Sequence, residues 1–123
     1  MSIWTAVIGI TNDFDIVHAH ATYPIGYQAL RLRKLLRTPI VITPHGEDIN
    51  VVEEIQFGQR LDPVQRRCID WTVQNADANT AISQTVYRSL LDAGARGERI
   101  HDIVNRVDLQ RFNKPPVVDM AER

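Results

Sequence analysis

Short apolar runs alternate along this chain with longer segments whose apolar positions recur at helical spacing. The run DIVHAH, 15–20, predicts a strand. In the following ATYPIGYQALRLRKLLR, 21–37, Ile25, Ala29, Leu32 and Leu36 fall on one helical face, and Pro24 suits a first turn. PIVIT, 39–43, is β-branched and predicts a strand buried on both sides. LDPVQRRCIDWTVQNA, 61–76, predicts a helix capped by Asp62 with Pro63 at its first position and Val64, Cys68 and Trp71 as its inner stripe. DANTAIS, 77–83, predicts the third strand. Ser83 is placed to cap the helix QTVYRSLLDAG, which Gly94 should end. RIHDIV, 99–104, predicts the fourth strand and leads into NRVDLQRF. VVEEIQFGQR, 51–60, and the chain beyond Phe112 are expected to lack regular structure, and no repeat is present. Strand–helix alternation with short links predicts an α/β fold: a Rossmann-like parallel sheet with right-handed crossovers over 1–112, then a tail, 113–123.

Composition narrows the function classes. With 44% hydrophobic and 24% charged residues the chain reads as one ordinary soluble domain. A net charge of -1 supplies no basic excess for a nucleic-acid partner. Cys68 is the single cysteine, which excludes an internal disulfide or a multi-cysteine zinc site and suits a reducing cytoplasm. The apolar opening MSIWTAVIGI is too short to span a bilayer and lacks the basic flank of a signal peptide. It reads as a core element, and the expected location is the cytoplasm.

In a parallel sheet, ligands bind at the carboxyl ends of the strands. Those ends carry His18 and His20, then His45, Gly46, Glu47 and Asp48, then Ser83, then Asn105 and Asp108. His45 is the first candidate: an imidazole at a strand tip can donate to a hydroxyl or phosphate, and the adjacent glycine lets backbone approach a ligand. The same pattern also describes a turn whose histidine only ends a strand, and Glu47 and Asp48 can equally open a solvated loop. His18 and His20, two apart on one strand face, form with His45 and Asp48 a set that could be drawn as a metal site, but the ligand spacing is weak for zinc. Ser83 can cap its helix and meet an anion at once. No GxGxxG, GxxxxGKS or G-x-S-x-G pattern occurs. Arg31, Arg33, Lys34 and Arg37 form either the solvated face of a crossover helix or a patch for anionic lipid headgroups.

Taken in order, DFDIVHAH, PIVITPHGED, ADANTAIS, LLDAGARGERI and VNRVDLQRF resemble the motif series of the family 4 glycosyltransferases, from about Asp13 to Phe112. The resemblance implies an incomplete GT-B N-terminal domain, its later, acceptor-side part. In a complete enzyme of this kind a sugar passes with retention from a nucleotide diphosphate sugar to an acceptor hydroxyl, with neither metal nor other cofactor. It implies that His45 positions the sugar or acceptor, that Gly46 lines the cleft, and that His20, Asp48, Ser83 and Asn105 lie on the substrate side. The first strand with its glycine-rich loop and the donor-binding domain have no counterpart here, so the chain alone is expected to transfer no sugar. It is also expected to self-associate through an open sheet edge or to pair with a donor-domain chain. Arg106, Val104 and Asp102 depart from the family pattern, which has glycine, often proline, and an apolar residue there. Two other classes stay open: a non-catalytic binding module, and a small metal-dependent hydrolase using His18, His20, His45 and Asp48.

Overall fold

The computed structural model describes residues 14–113. The apolar opening and residues 114–123 of the expected tail lie outside them. Strands β1 (Val17–His20), β2 (Ile40–Thr43), β3 (Ala78–Ala81) and β4 (Ile100–Asp102) form one parallel sheet in the order β1-β2-β3-β4. Val17 pairs with Ile40 and His20 with Thr43, Ile42 pairs with Asn79, and Thr80 pairs with His101. Each strand is laid down beside the last in the same direction. Right-handed crossovers then place the connecting helices on a single face.

That face carries the core. Ala19, Ile40 and Ile42 pack with Ala29, Leu30, Leu36 and Ala76. Ala81 and Ile100 pack with Ile69, Val73, Val86 and Leu90. On the other face, Ile16, His18, Val41, Ala78, Thr80, His101 and Ile103 line an open groove of about 380 Å³. The expectation that 39–43 is buried on both sides is therefore corrected. Ile40 and Ile42 are fully buried, whereas Val41 is half-buried and faces the groove.

Four further expectations change. Residues 21–37 do not form one helix. A π-helical turn, Thr22–Gly26, leads to α1 (Tyr27–Arg31), and Leu32 (φ -95°, ψ 5°) separates it from α2 (Arg33–Leu36). Tyr23 in the first turn is extended (φ -131°, ψ 138°). Gly26 sits directly on the sheet: a Cβ there would lie 2.8 Å from Ile42 Cδ1 and 2.9 Å from the Ala21 carbonyl oxygen. That close approach sets which way the helix faces, and Ile25 is left 50% exposed. Helix α3 (Pro63–Asn75) begins as expected, with the Asp62 carboxylate accepting from the amides of Val64 and Gln65 at 2.9 and 2.8 Å. Its buried stripe is Ile69, Thr72 and Val73, continuing to Ala76, and Val64 is 67% exposed. Trp71 packs on the flank, edge-on to Tyr27 with centroids 5.4 Å apart. The competing stripe wins because it carries Ile69 and Val73 at i, i+4. Residues 51–60 are ordered, with an antiparallel bridge between Val52 and Phe57 and 3-10 turns at Glu53–Ile55 and Gln59–Leu61. Strand β4 is shorter than expected and is an edge strand, which leaves Asp102 exposed and in need of no partner.

Helix α4 (Gln84–Asp92) matches its sequence signals. The Ser83 hydroxyl accepts from the Val86 amide at 3.3 Å, and the chain leaves through Gly94 at φ +89°. The Gln74 amide nitrogen donates to the Ala93 carbonyl at 2.9 Å and occupies the space beside Gly94, 2.6 Å from where a Cβ would stand. Gly94→Ala is expected to lower stability by about 1–2 kcal/mol, through left-handed strain plus this clash. Urea unfolding should show a lower midpoint at unchanged slope, and adding Gln74→Ala should restore only the steric part.

Candidate functional site

The carboxyl ends of β1 and β2 bring two imidazoles together. His20 ends β1, and its pairing with Thr43 places His45 just beyond it. His20 Nδ1 lies 3.0 Å from His45 Nε2, and the rings stack with centroids 5.2 Å apart at 23°. One nitrogen donates and the other accepts, so each ring orients its neighbour. Both are exposed, with their remaining nitrogens able to meet a hydroxyl. His18 lies on the same strand face, its centroid 4.4 Å from that of His20. Its Nε2 is 2.6 Å from Thr43 Oγ1, which in turn bonds Thr80 Oγ1, so a polar chain crosses β1, β2 and β3. Partial burial of the His18 ring, then the neighbouring rings of His20 and His45, lower its pKa below the ordinary 6.5.

The loop after β2 is held from within. Asp48 is only 4% exposed. Its Oδ1 accepts from the amides of His45 at 2.8 Å and Gly46 at 3.1 Å. Its Oδ2 accepts from the Thr22 amide at 2.7 Å and the Thr22 hydroxyl at 3.1 Å, and that hydroxyl also donates to the Asp48 carbonyl at 2.8 Å. One carboxylate thus ties the chain leaving β1 to the chain leaving β2. Gly46 turns the loop at φ +123°, and its carbonyl accepts from the amides of Ile49 and Asn50 at 3.0 and 2.7 Å. Ala21, beside His20, is a non-glycine at φ 85°, ψ 141°, a strained conformation located at this rim.

His20, His45, Gly46 and Asp48 therefore meet, with Asp48 facing the loop and Thr22. Ser83 and Asn105 follow on the same rim, at the ends of β3 and β4. The Ser83 hydroxyl is engaged as a cap, and Asn105 is exposed. Asp108 caps α5 (Leu109–Phe112), accepting from the amides of Gln110 and Arg111 at 3.1 Å each. Arg106 is not among the residues with positive φ, so it carries no left-handed strain. Among the described residues no three His, Cys, Asp or Glu side chains are grouped to hold a metal ion, and both Asp48 oxygens are taken up by backbone amides and the Thr22 hydroxyl. Sequence reasoning missed Thr22, Thr43 and Thr80. A threonine in or beside a strand carries no signal of its own until register supplies its partner.

The glycosyltransferase family 4 model matches residues 4–111. The chain belongs to glycosyltransferase family 4. Three crystal structures of Anabaena HepE share the fold. The complex with UDP has a TM-score of 0.66 and 19% identity, covering 89% of this chain and 27% of that one. The complex with UDP and glucose has a TM-score of 0.54 and 22% identity, covering 79% and 24%. The complex with UDP-glucose has a TM-score of 0.52 and 23% identity, covering 78% and 24%. The chain thus spans about a quarter of the length of HepE, and its Rossmann-like α/β fold matches that part of the GT-B structure. No curated protein matches it.

Asp48→Ala strands one buried and two half-buried amides and is expected to cost about 2–4 kcal/mol, while Asp48→Asn, which keeps one acceptor, costs less. In both variants the ring signals of His20 and His45 in NMR spectra should move together. Unmoved rings would show that the carboxylate does not hold the pair. The lowered His18 pKa means that the unfolded chain binds more protons than the folded one just below pH 6.5. Its contribution is complete above that value and is lost as pH falls through the folded pKa. Unfolding midpoints measured from pH 7 downward should therefore decline, and less steeply in His18→Gln.

Proposed function

We propose that this chain is the later, acceptor-side part of the N-terminal domain of a retaining glycosyltransferase, which moves a sugar from a nucleotide diphosphate sugar to an acceptor hydroxyl. The observation that carries the reading is the exposed His20–His45 pair at the carboxyl rim of a parallel sheet, in a chain matched by the family over 4–111. HepE, which shares the fold, is seen with UDP, with UDP and glucose, and with UDP-glucose, which supports a nucleotide sugar as the donor class. Here His45 donates to or accepts from a hydroxyl of the sugar or acceptor, and His20 holds its orientation. Gly46, without a Cβ, lets the loop backbone line the cleft. Asp48 acts by fixing the loop, and Ser83 and Asn105 extend the rim. Preorganised groups of this kind position the reacting hydroxyl and stabilise charge without solvent reorganisation.

Among the described residues nothing covers the groove or pairs with the outer edge of β1, which favours a second element of the reading: the half-domain docks onto a chain that supplies donor-side elements, or onto itself. A cytoplasmic location is part of the proposal. Among the described residues no helix is long and apolar enough to cross a membrane. Arg33 pairs with Asp77 at 2.5 Å, while Arg31, which lies over the Tyr27 ring, Lys34 and Arg37 are exposed for any peripheral lipid contact.

Incubated alone with UDP-glucose and an alcohol acceptor, the chain is expected to release UDP no faster than His45→Ala; transfer above that background overturns the inactivity. Titrated with glucose, it should show saturable shifts of the His45 and His20 ring signals, and the His20 shift should be lost in His45→Ala at an unchanged urea midpoint. Absence of the shift removes the positioning role.

A further inference from the structure

The four histidines of the chain gather on the sheet face away from the described helices. His18 and His101 line the groove, and His20 and His45 continue from His18 to the rim. Behind His18 stand two buried hydroxyls, Thr43 and Thr80. Thr43 Oγ1 lies 2.6 Å from His18 Nε2 and also bonds Thr80 Oγ1.

Counting hydrogens gives this row a direction. The Thr80 hydroxyl makes no other side-chain hydrogen bond among the described residues. A buried hydroxyl hydrogen without an acceptor is costly, whereas a spare lone pair is tolerated. Thr80 therefore donates to Thr43, and the Thr43 hydrogen, with only His18 Nε2 left to meet, goes there. A ring nitrogen that accepts carries no hydrogen, so His18 is neutral with its proton on Nδ1. A second proton on that ring would set an N–H against the Thr43 hydrogen, turn both hydroxyls round and leave the Thr80 hydrogen without an acceptor. Partial burial and then the rings of His20 and His45 act in the same direction, lowering the pKa of His18. The titratable groups around it are His20 on its own strand, His45 beyond β2 and His101 on β4; the groove lining holds no carboxylate, lysine or arginine.

The consequence reaches the rim. In the neutral His20–His45 pair one ring nitrogen donates to the other, so the two outward nitrogens, His20 Nε2 and His45 Nδ1, are one donor and one acceptor. A proton taken up by the pair makes both donors and adds charge, which strengthens a bond to a hydroxyl oxygen. A charged His18, its centroid 4.4 Å from that of His20, would oppose that proton. Resting on the sugar-positioning reading of His45, we propose that Thr43, with Thr80 behind it, is a positioning residue. The relay from Thr80 through Thr43 holds His18 neutral with its hydrogen on Nδ1, and so reserves the rim's proton for the His20–His45 pair.

Nitrogen chemical shifts of the histidine rings test the relay in the full chain at pH 7. His18 is expected in the Nδ1–H form, and a ring found as Nε2–H overturns the proposal. Thr43→Val keeps the side-chain shape and removes the hydroxyl. His18 should then titrate at higher pH than in the parent chain, and Thr43→Ser should restore the parent midpoint, with urea unfolding confirming that both variants are folded. An unmoved His18 midpoint in Thr43→Val, or no restoration by serine, overturns it equally. Glucose binding followed at the His45 ring reads the link to the rim. Thr43→Val should bind at least about threefold more weakly than the parent just below pH 6.5, and equally well at pH 8. A loss that is the same at both pH values, or absent at both, overturns the positioning role. If the parent chain binds no glucose, the sugar reading falls, and the ring spectra still decide the relay.

Discussion

The carboxylate of Asp48 is the interaction on which the candidate site depends. Strand tips in a parallel sheet end in loops with no ladder to hold them, and their amides need acceptors. Asp48 supplies one for His45, one for Gly46 and one for Thr22, so the exits of two adjacent strands share a single buried anion. Charge-assisted hydrogen bonds of this kind are stronger than neutral ones, and their geometry leaves little freedom to the residues that carry them. The consequence is functional rather than only structural. With the backbone at His45 fixed relative to that leaving β1, the two imidazoles can meet at 3.0 Å while both remain open to solvent.

Chain order decides what surrounds that pair. A sheet built as β1-β2-β3-β4 with right-handed crossovers places its helices on one side, where the fully buried Ile40 and Ile42 lie. The other side carries His18, Val41, Ala78, Thr80 and His101 along the groove. Polar residues on a sheet face that no described helix covers need partners in the plane of the sheet, and the His18–Thr43–Thr80 chain provides them. The same arrangement brings three imidazoles within stacking distance. Partial burial, and after it that crowding, lowers the pKa of His18.

Arg60 plays for the helical side the part that Asp48 plays for the rim. It joins the segment after β2 to α3 and α4 through two carboxylates, in an interior where a buried cation is costly unless paired. The two centres are held by separate contacts, so the rim and the Arg60 cluster can be perturbed separately. Strain at Ala21 beside His20 sets the rim apart again, since backbone held in a sparsely populated region persists only where its surroundings impose it.

Much of this was legible in the sequence. Asp62 before Pro63 and Ser83 before its helix announce caps because capping is local, needing only amides two or three residues ahead. The strands and their parallel order follow from apolar runs separated by helical patterns, and the ordered motifs from DFDIVHAH to VNRVDLQRF carry the family. The sequence alone could not choose between Val64–Cys68–Trp71 and Ile69–Val73 as the inner stripe of α3, since both satisfy helical periodicity and packing selects one. Nor could it show that Asp48 belongs to Thr22, 26 positions away, or that Arg60, in a stretch that looked unstructured, would become the most buried cation on the helical side. Local propensities settle what each segment is. Contacts between distant residues, which have no periodicity to betray them, settle which side chains are held and which are free to meet a ligand.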